Sequence, residues 1–139
     1  MDGSHDSLVE AEAVRAAKEY FIQEKFKIDN LGGPHPGYDF SIEKDGIVYA
    51  VEVKGRTYEP GFIQFSAKES DQLENNPHFV VVHVLIDKRT LETKSVTLLT
   101  RKDFVRKQVV RNPPVRWYLP NKALARKSLR SSHHSVFTF

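Results

Sequence analysis

The run from Phe79 to Ile86 constrains the fold of this chain more than any other segment. Seven of its eight residues are apolar and most of them are β-branched, with His83 as the exception. A strand of this kind has no polar face, so it is predicted to be central and buried on both sides. His83 is accordingly expected to be a satisfied core histidine. A sheet built around this strand needs covering layers, which indicates an α/β or α+β fold.

The other elements are predicted from hydrophobic periodicity and from end signals. Helices covering one mixed sheet are expected, joined by short loops. Ser66 and Glu69 have the spacing of a capping box at the start of the second helix, although Glu69 could also reach a nearby site. The predicted elements are a helix over 7–26, a hairpin of strands 38–43 and 47–54 with its turn at 44–46, a short extended segment at 63–65, a helix over 66–74, strands 79–86 and 93–99, a short basic helix from Thr100 to about Val110, a short strand at 115–119, and a basic helix or tail over 121–129.

Length and composition indicate one ordinary globular domain. The chain has 139 residues, is 40% hydrophobic and 28% charged, and contains no cysteine, which excludes disulfides and thiolate metal sites. It has neither a long apolar run nor a signal-peptide layout, so we expect a cytoplasmic protein without a membrane partner. Residues 1–112 are predicted to form the core, with residues 1–7 flexible, and residues 113–139 a basic C-terminal extension of the same domain.

Charge is distributed unevenly along the chain. Residues 101–139 contain ten basic residues and one acid, a net charge of +9, while residues 1–100 carry a net charge of −6. A basic surface beside an acidic domain suits a polyanion, since neutralised phosphates release counterions. A solvated tail explains the same charges equally well.

Three charged residues fall in or beside the predicted hairpin. Glu52 and Lys54 lie two positions apart in an otherwise apolar strand, so both point to one face. Asp39 stands thirteen residues earlier, where the first strand of the hairpin begins. For a lone Glu-x-Lys pattern, an exposed weak ion pair is the commoner explanation.

If these residues meet, they predict a cation site. Asp39, Glu52 and the backbone carbonyl of Val53 supply the oxygen ligands that Mg²⁺ prefers, and Mn²⁺ could substitute. Lys54 would then orient an attacking water or stabilise developing charge. Glu10 in the first helix is a candidate auxiliary ligand, with Glu12 a close competitor and a helix-dipole role the simpler explanation.

These residues resemble those of a known family. The phrase Gly37-Tyr38-Asp39-Phe40, a short hairpin, and Val51-Glu52-Val53-Lys54-Gly55 look like the PD-(D/E)XK nuclease superfamily. Together with the helix from Ser66 to Glu69, they most resemble the NO VEIN C-terminal-like domain, over roughly residues 8–100. The resemblance implies a restriction-endonuclease-like α/β/α sandwich with a central mixed sheet. It also implies Mg²⁺-dependent hydrolysis of DNA phosphodiesters, with Asp39, Glu52, Lys54 and Glu10 as catalytic residues.

The expected activity is therefore that of a metal-dependent DNA endonuclease. The alternative is an inactive nuclease-like domain that binds nucleic acid or protein. The expected protein partners are a second copy of the chain, since two active sites can cut both strands, or a larger defence or repair assembly. Tyr118 and Trp117 could stack on bases or pack in the core. The cations expected to contact DNA are Arg56, Lys68, Arg101, Lys102, Arg106, Lys107, Arg111 and Arg116.

Overall fold

A computed structural model describes residues 3–30, 36–110 and 115–120 of the chain. Two α-helices, one short 3-10 helix and eight strands are formed within these ranges. In chain order they are α1 (Gly3–Gln23), β1 (Lys27–Asn30), β2 (Phe40–Lys44), β3 (Ile47–Arg56), β4 (Phe62–Phe65), α2 (Ala67–Asn75), β5 (Phe79–Ile86), β6 (Thr93–Leu99), the 3-10 turn Arg101–Asp103, β7 (Arg106–Val109) and β8 (Val115–Tyr118).

The larger sheet has five strands in the order β1-β2-β3-β5-β6. Strands β3 and β5 are parallel, and the remaining neighbours are antiparallel. The connection between the two parallel strands runs through β4 and α2. The predicted α/β class with a central mixed sheet is confirmed, and β5 is nearly completely buried as its apolar sequence required.

Different layers cover the two faces of this sheet. On one face, Ala13, Ala17 and Phe21 of α1 are fully buried against the sheet residues Val51 and Val53 and their neighbours. On the other face, α2 and a three-stranded sheet of order β4-β8-β7 enclose a second core. This core includes Phe65, Leu73, Phe79, Leu99 and Trp117.

The predicted hairpin is present, and its turn has the expected chemistry. Asp45 and Gly46 both have positive φ, at 55° and 81°, which matches the two-residue turns that suit twisted strands. The register pairs Lys44 with Ile47 and Phe40 with Val51. The strand β3 therefore continues for five residues beyond its last pair with β2.

Three predictions about elements were wrong. Helix α1 ends at Gln23 rather than near Phe26, because Lys25 adopts a positive φ of 69° and turns the chain into the unpredicted edge strand β1. The basic helix from Thr100 to Val110 is only the 3-10 turn, after which the chain forms β7. Pairing of β7 and β4 with β8 creates a second sheet, where one had been expected.

The short strand near residues 115–119 is confirmed as β8, the middle strand of the smaller sheet. The basic helix or tail over 121–129 lies outside the described residues. Among the helices that the structure describes, none combines the length and apolarity needed to cross a bilayer.

Candidate active site

Asp39 immediately precedes β2, at the point where β3 extends beyond its last pair with β2 and stays paired only with β5. Its backbone N–H donates to the Val51 carbonyl at 2.8 Å, and its Oδ2 accepts the Val53 N–H at 2.8 Å. A carboxylate thus takes the place of the next backbone partner of β3. In an extended strand the N–H and C=O of one residue point to the same edge, so the Val53 carbonyl is directed to the side occupied by Asp39.

Gly37 explains how the chain reaches this position. It has a φ of 96°, and a Cβ built on it would lie 2.8 Å from the carbonyl oxygen of Lys68 in α2. Both the backbone angle and the close approach favour glycine. The segment that carries Asp39 is therefore packed directly on the first turn of α2.

Lys54 lies between two carboxyl groups. Its Nζ is 3.3 Å from Oε2 of Glu52 and donates to Oε1 of Glu69 at 2.9 Å. The same Oε1 accepts the Ser66 N–H at 2.9 Å, completing the predicted capping box. Glu69 thus connects the start of α2 to the end of β3.

Glu52 is buried in a way that favours its neutral form. Its side chain is about 5% exposed, and Oε1 has no hydrogen-bond partner among the described residues. Burial raises the pKa of Glu52 to about 9, and the charges of Asp39 and Glu69 act in the same direction against Lys54. Burial also opposes ionisation of Glu69, yet Lys54, the Ser66 N–H and a hydrogen bond with Glu52 together lower the pKa of Glu69.

The geometry separates Glu10 from Glu12. Gly55 allows α1 to approach β3 closely, since a Cβ there would lie 2.6 Å from the Ala13 Cβ and 3.3 Å from the Val9 carbonyl oxygen. Glu10 follows Val9 and lines the same cleft as Asp39, Glu52 and Lys54. Glu12 points elsewhere: its Oε2 accepts the Thr93 hydroxyl at 2.5 Å, and its Oε1 pairs with Arg15 at 2.7 Å.

One open cleft of about 610 Å³ is lined by Glu10, Asp39, Glu52, Lys54 and Glu69. Besides the candidate residues, its walls include Arg56, which donates to the Gly55 carbonyl at 2.7 Å, and the exposed Tyr58.

The donor set fits a cation that shares its coordination with waters and substrate. Within the three described ranges, no group of three His, Asp or Glu side chains could by itself enclose an ion. Mg²⁺ commonly binds through one or two carboxylates and otherwise keeps water or phosphate oxygens. The Oε1 of Glu52 is buried and has no hydrogen-bond partner in the described part of the chain. Because Asp39, Glu52 and Val53 line the same cleft, they offer such a partial set.

The described members of the set of cations expected to contact DNA lie in several different elements of the structure. Arg56 lines the cleft, and Lys68 is exposed in the first turn of α2. Arg101 stacks on Trp117, and Lys102 lines a groove beside the end of α2. Lys107 pairs with Glu74. Arg106 and Arg116 lie on the smaller sheet, and Arg111 is outside the described residues.

The structure adds a contact to Glu69 and leaves one ring nitrogen of His83 without a partner among the described residues. Glu69 forms the predicted capping box, and the open alternative that it also reaches a nearby site agrees with its contact to Lys54. That contact depends on a tertiary approach that spacing does not reveal. His83 is paired with Lys54 in register and is 1% exposed, which confirms that it belongs to the core. Its Nε2 has no hydrogen-bond partner within the described ranges, which differs from the satisfied histidine expected there. Burial, aided by Arg56, lowers the pKa of His83 to about 4.

The chain is similar to known proteins in sequence and in fold. The model of the family described as Protein NO VEIN, C-terminal, matches residues 9–98. A crystal structure of Hjc, a Holliday junction resolvase from Archaeoglobus fulgidus, superposes with a TM-score of 0.54 at 17% identity, covering 83% of this chain and 93% of the resolvase. The comparison with curated proteins gives no match. The fold is thus the restriction-endonuclease-like fold of the PD-(D/E)XK nucleases, as the motif predicted.

Proposed function

Because this chain belongs to the NO VEIN C-terminal family, and its fold is that of a nuclease, we propose that it is a metal-dependent DNA endonuclease. The observation that carries the proposal is the placement of Lys54 between two carboxyl groups beside Asp39. A purely structural ion pair with Lys54 needs one acid. Burying a second acid, Glu52, whose Oε1 has no partner among the described residues, costs stability. Functional sites are where such costs are retained.

The residues of the cleft have different roles in the proposed phosphodiester hydrolysis. Asp39, Glu52 and the Val53 carbonyl would hold Mg²⁺, or Mn²⁺ in its place, and Glu10 would hold one of its waters. The bound ion supplies Lewis-acid polarisation of the phosphate and a lowered pKa for a bound water. Lys54 orients the attacking water and offsets the negative charge that develops on the phosphate. Arg56, in the wall of the cleft, binds a neighbouring phosphate of the same strand.

The partner is DNA, and two copies of the chain would act on a duplex. One active site cuts one strand, so cleavage of both strands is simplest with two chains related by a twofold axis. The resolvase with the similar fold acts on a Holliday junction, according to its description, which makes branched DNA a substrate to include in any test.

The test compares wild type with Lys54→Ala on supercoiled, linear and branched DNA in Mg²⁺, Mn²⁺ or Ca²⁺. We expect wild type to cut in Mg²⁺ or Mn²⁺ and the variant to lose at least a hundredfold in rate, since a preorganised charge at the reacting group is worth about 3 kcal/mol. Lys94→Ala, which removes an exposed lysine of β6, is the matched control and should cut normally.

Two results would contradict the proposal. Cleavage that persists in Lys54→Ala would remove Lys54 from the mechanism and indicate a contaminating nuclease. Binding without cleavage by wild type, on all three substrates and in all three metals, would favour the alternative of an inactive nuclease-like binding module.

A further inference from the structure

The smaller sheet has an outward face that the proposed active site does not use. Burial alternates along β4 and β8, with Ile63, Phe65, Val115 and Trp117 buried on the inner face. The alternate residues face away from the core. The register aligns them in two rows, Phe62-Tyr118-Arg106 and Gln64-Arg116-Gln108.

The first row contains two aromatic rings and a guanidinium, and the second contains two amides and a guanidinium. The rings of Phe62 and Tyr118 lie 5.3 Å apart, at 48° to each other. Arg106 stacks over Tyr118 with its Cζ 3.7 Å from the ring centroid, and Arg116 lies 4.7 Å over Phe62. These contacts hold both guanidinium groups against the sheet, which lowers the entropy lost when they bind a ligand.

The face is positively charged and unneutralised. Over the part of the chain that the structure describes, neither Arg106 nor Arg116 forms an ion pair with a carboxylate. Lys107 makes the contrast clear: it points to the inner side of β7, pairs with Glu74 and lies near Trp117. Gln64 and Gln108 add amide donors and acceptors, and Gln108 accepts the Tyr118 hydroxyl at 3.0 Å.

We propose that this outward face binds single-stranded DNA, with bases stacking on the guanidinium planes of Arg106 and Arg116, which the rings of Tyr118 and Phe62 support. Stacking requires unpaired bases, whereas a surface for duplex backbone needs cations without rings. Three strands spaced about 4.8 Å apart offer room for roughly two or three nucleotides. This surface goes beyond the proposed hydrolysis and does not depend on it.

The chain also connects this face to the cleft. Tyr58 is 60% exposed, lines the cleft, and precedes β4 by four residues. The loop between β3 and β4 is held to the smaller sheet at its end, since the Gly61 carbonyl accepts the Leu119 N–H at 2.9 Å. A DNA strand that follows the chain from Tyr58 to Phe62 would pass from the cleft to the start of the face.

The test measures fluorescence anisotropy of a labelled ten-nucleotide oligo(dT) in EDTA, where no cleavage is required. Tyr118→Leu should weaken binding about tenfold, and Tyr118→Phe should retain it, because the loss of one stacked base corresponds to about 1–3 kcal/mol. Arg106→Gln with Arg116→Gln should weaken binding at least tenfold. The matched control, Lys27→Gln with Lys94→Gln, removes the same charge from exposed positions of β1 and β6 and should bind normally.

Several outcomes would overturn the inference. Equal loss of duplex and oligo(dT) binding in the arginine variant, with no effect of Tyr118→Leu, would make the face a backbone contact only. Equal loss in the lysine control would make binding a matter of net charge, and tighter binding of oligo(U) would assign the face to RNA. Far-UV circular dichroism and thermal melting of each variant exclude unfolding, and Phe62→Leu gives a second test of stacking. Oligo(dT) binding by a Lys54→Ala protein that does not cut would separate this inference from the proposed hydrolysis.

Discussion

Glu52 is the residue at which function and stability oppose each other most directly. Its folded pKa of about 9 lies far above that of an exposed glutamate. A carboxyl whose pKa is raised on folding contributes stability at low pH and loses it as pH rises from about 4.5 towards 9. At pH 8, the metal-free protein should therefore be less stable than the same protein with an uncharged polar side chain in place of Glu52.

We predict that Glu52→Gln abolishes cleavage and raises the free energy of unfolding in EDTA by about 1 kcal/mol or more at pH 8. The gain should shrink towards pH 5, because that pH is close to the unfolded pKa of about 4.5 and keeping Glu52 protonated in the folded state costs little free energy there. Urea denaturation at both pH values measures it. Glu43→Gln, on the exposed face of β2, is the control and should change stability by less than about 0.5 kcal/mol. A gain independent of pH would contradict the assigned cause.

Glu69 has two roles that mutation can separate. Ser66→Ala removes the Ser66 hydroxyl that accepts the Glu69 N–H and should cost about 1 kcal/mol of stability with little loss of cleavage. Glu69→Gln keeps a side-chain acceptor for the Ser66 N–H but removes the charge beside Lys54. We expect its cleavage rate to fall at least tenfold with a smaller change in melting temperature. The opposite ranking of the two variants would make Glu69 only a cap.

At the scale of elements, the contact between α1 and β3 depends on Gly55. A methyl group there would meet the Ala13 Cβ at 2.6 Å, so α1 must move away from the strand that carries Glu52 and Lys54. We predict that Gly55→Ala lowers the free energy of unfolding by about 1–3 kcal/mol and reduces cleavage, as overpacked cores do. Gly61→Ala, whose added Cβ meets no described atom within 4 Å, should be nearly neutral. Equal denaturation midpoints for the two variants would refute this account.

The elements that sequence predicted correctly are those whose signals are local. Asp45-Gly46 between alternating runs specifies a hairpin, and an apolar run such as Phe79–Ile86 has few alternatives to a central strand. Strands β1 and β7 escaped prediction because both are short, mostly polar and exposed, so neither shows alternation. The same distinction applies to the site. Asp39, Glu52 and Lys54 belong to one hairpin, whereas Glu69 reaches Lys54 only through the packing of α2.

For the whole molecule, net charge is the property expected to govern the proposed binding to DNA. Residues 121–139 carry four basic residues and no acid, so their removal changes the net charge from +3 to −1. We predict that a chain ending at Pro120 still cuts DNA but binds it with a weaker dependence on salt. The slope of log K against log salt should fall by at most about 3 to 4, because each phosphate that a cation neutralises contributes about 0.9 to that slope.

The end point of this deletion matters, because a cut at residue 112 would also remove β8 from the middle of the smaller sheet. Binding measured by anisotropy over a series of salt concentrations tests the prediction, with thermal melting as the check that the fold is retained. An unchanged slope would show that these four cations do not bind phosphate.

The hydrogen bond from the Val53 N–H to Asp39 has a practical consequence for spectroscopy. Its acceptor is a side-chain carboxylate instead of a backbone carbonyl, so the amide proton senses any change in the charge on Asp39. In a ¹⁵N-labelled sample, the Val53 resonance should therefore shift when a cation or a phosphate occupies the cleft. It would report binding directly, without substrate turnover and without any substituted residue.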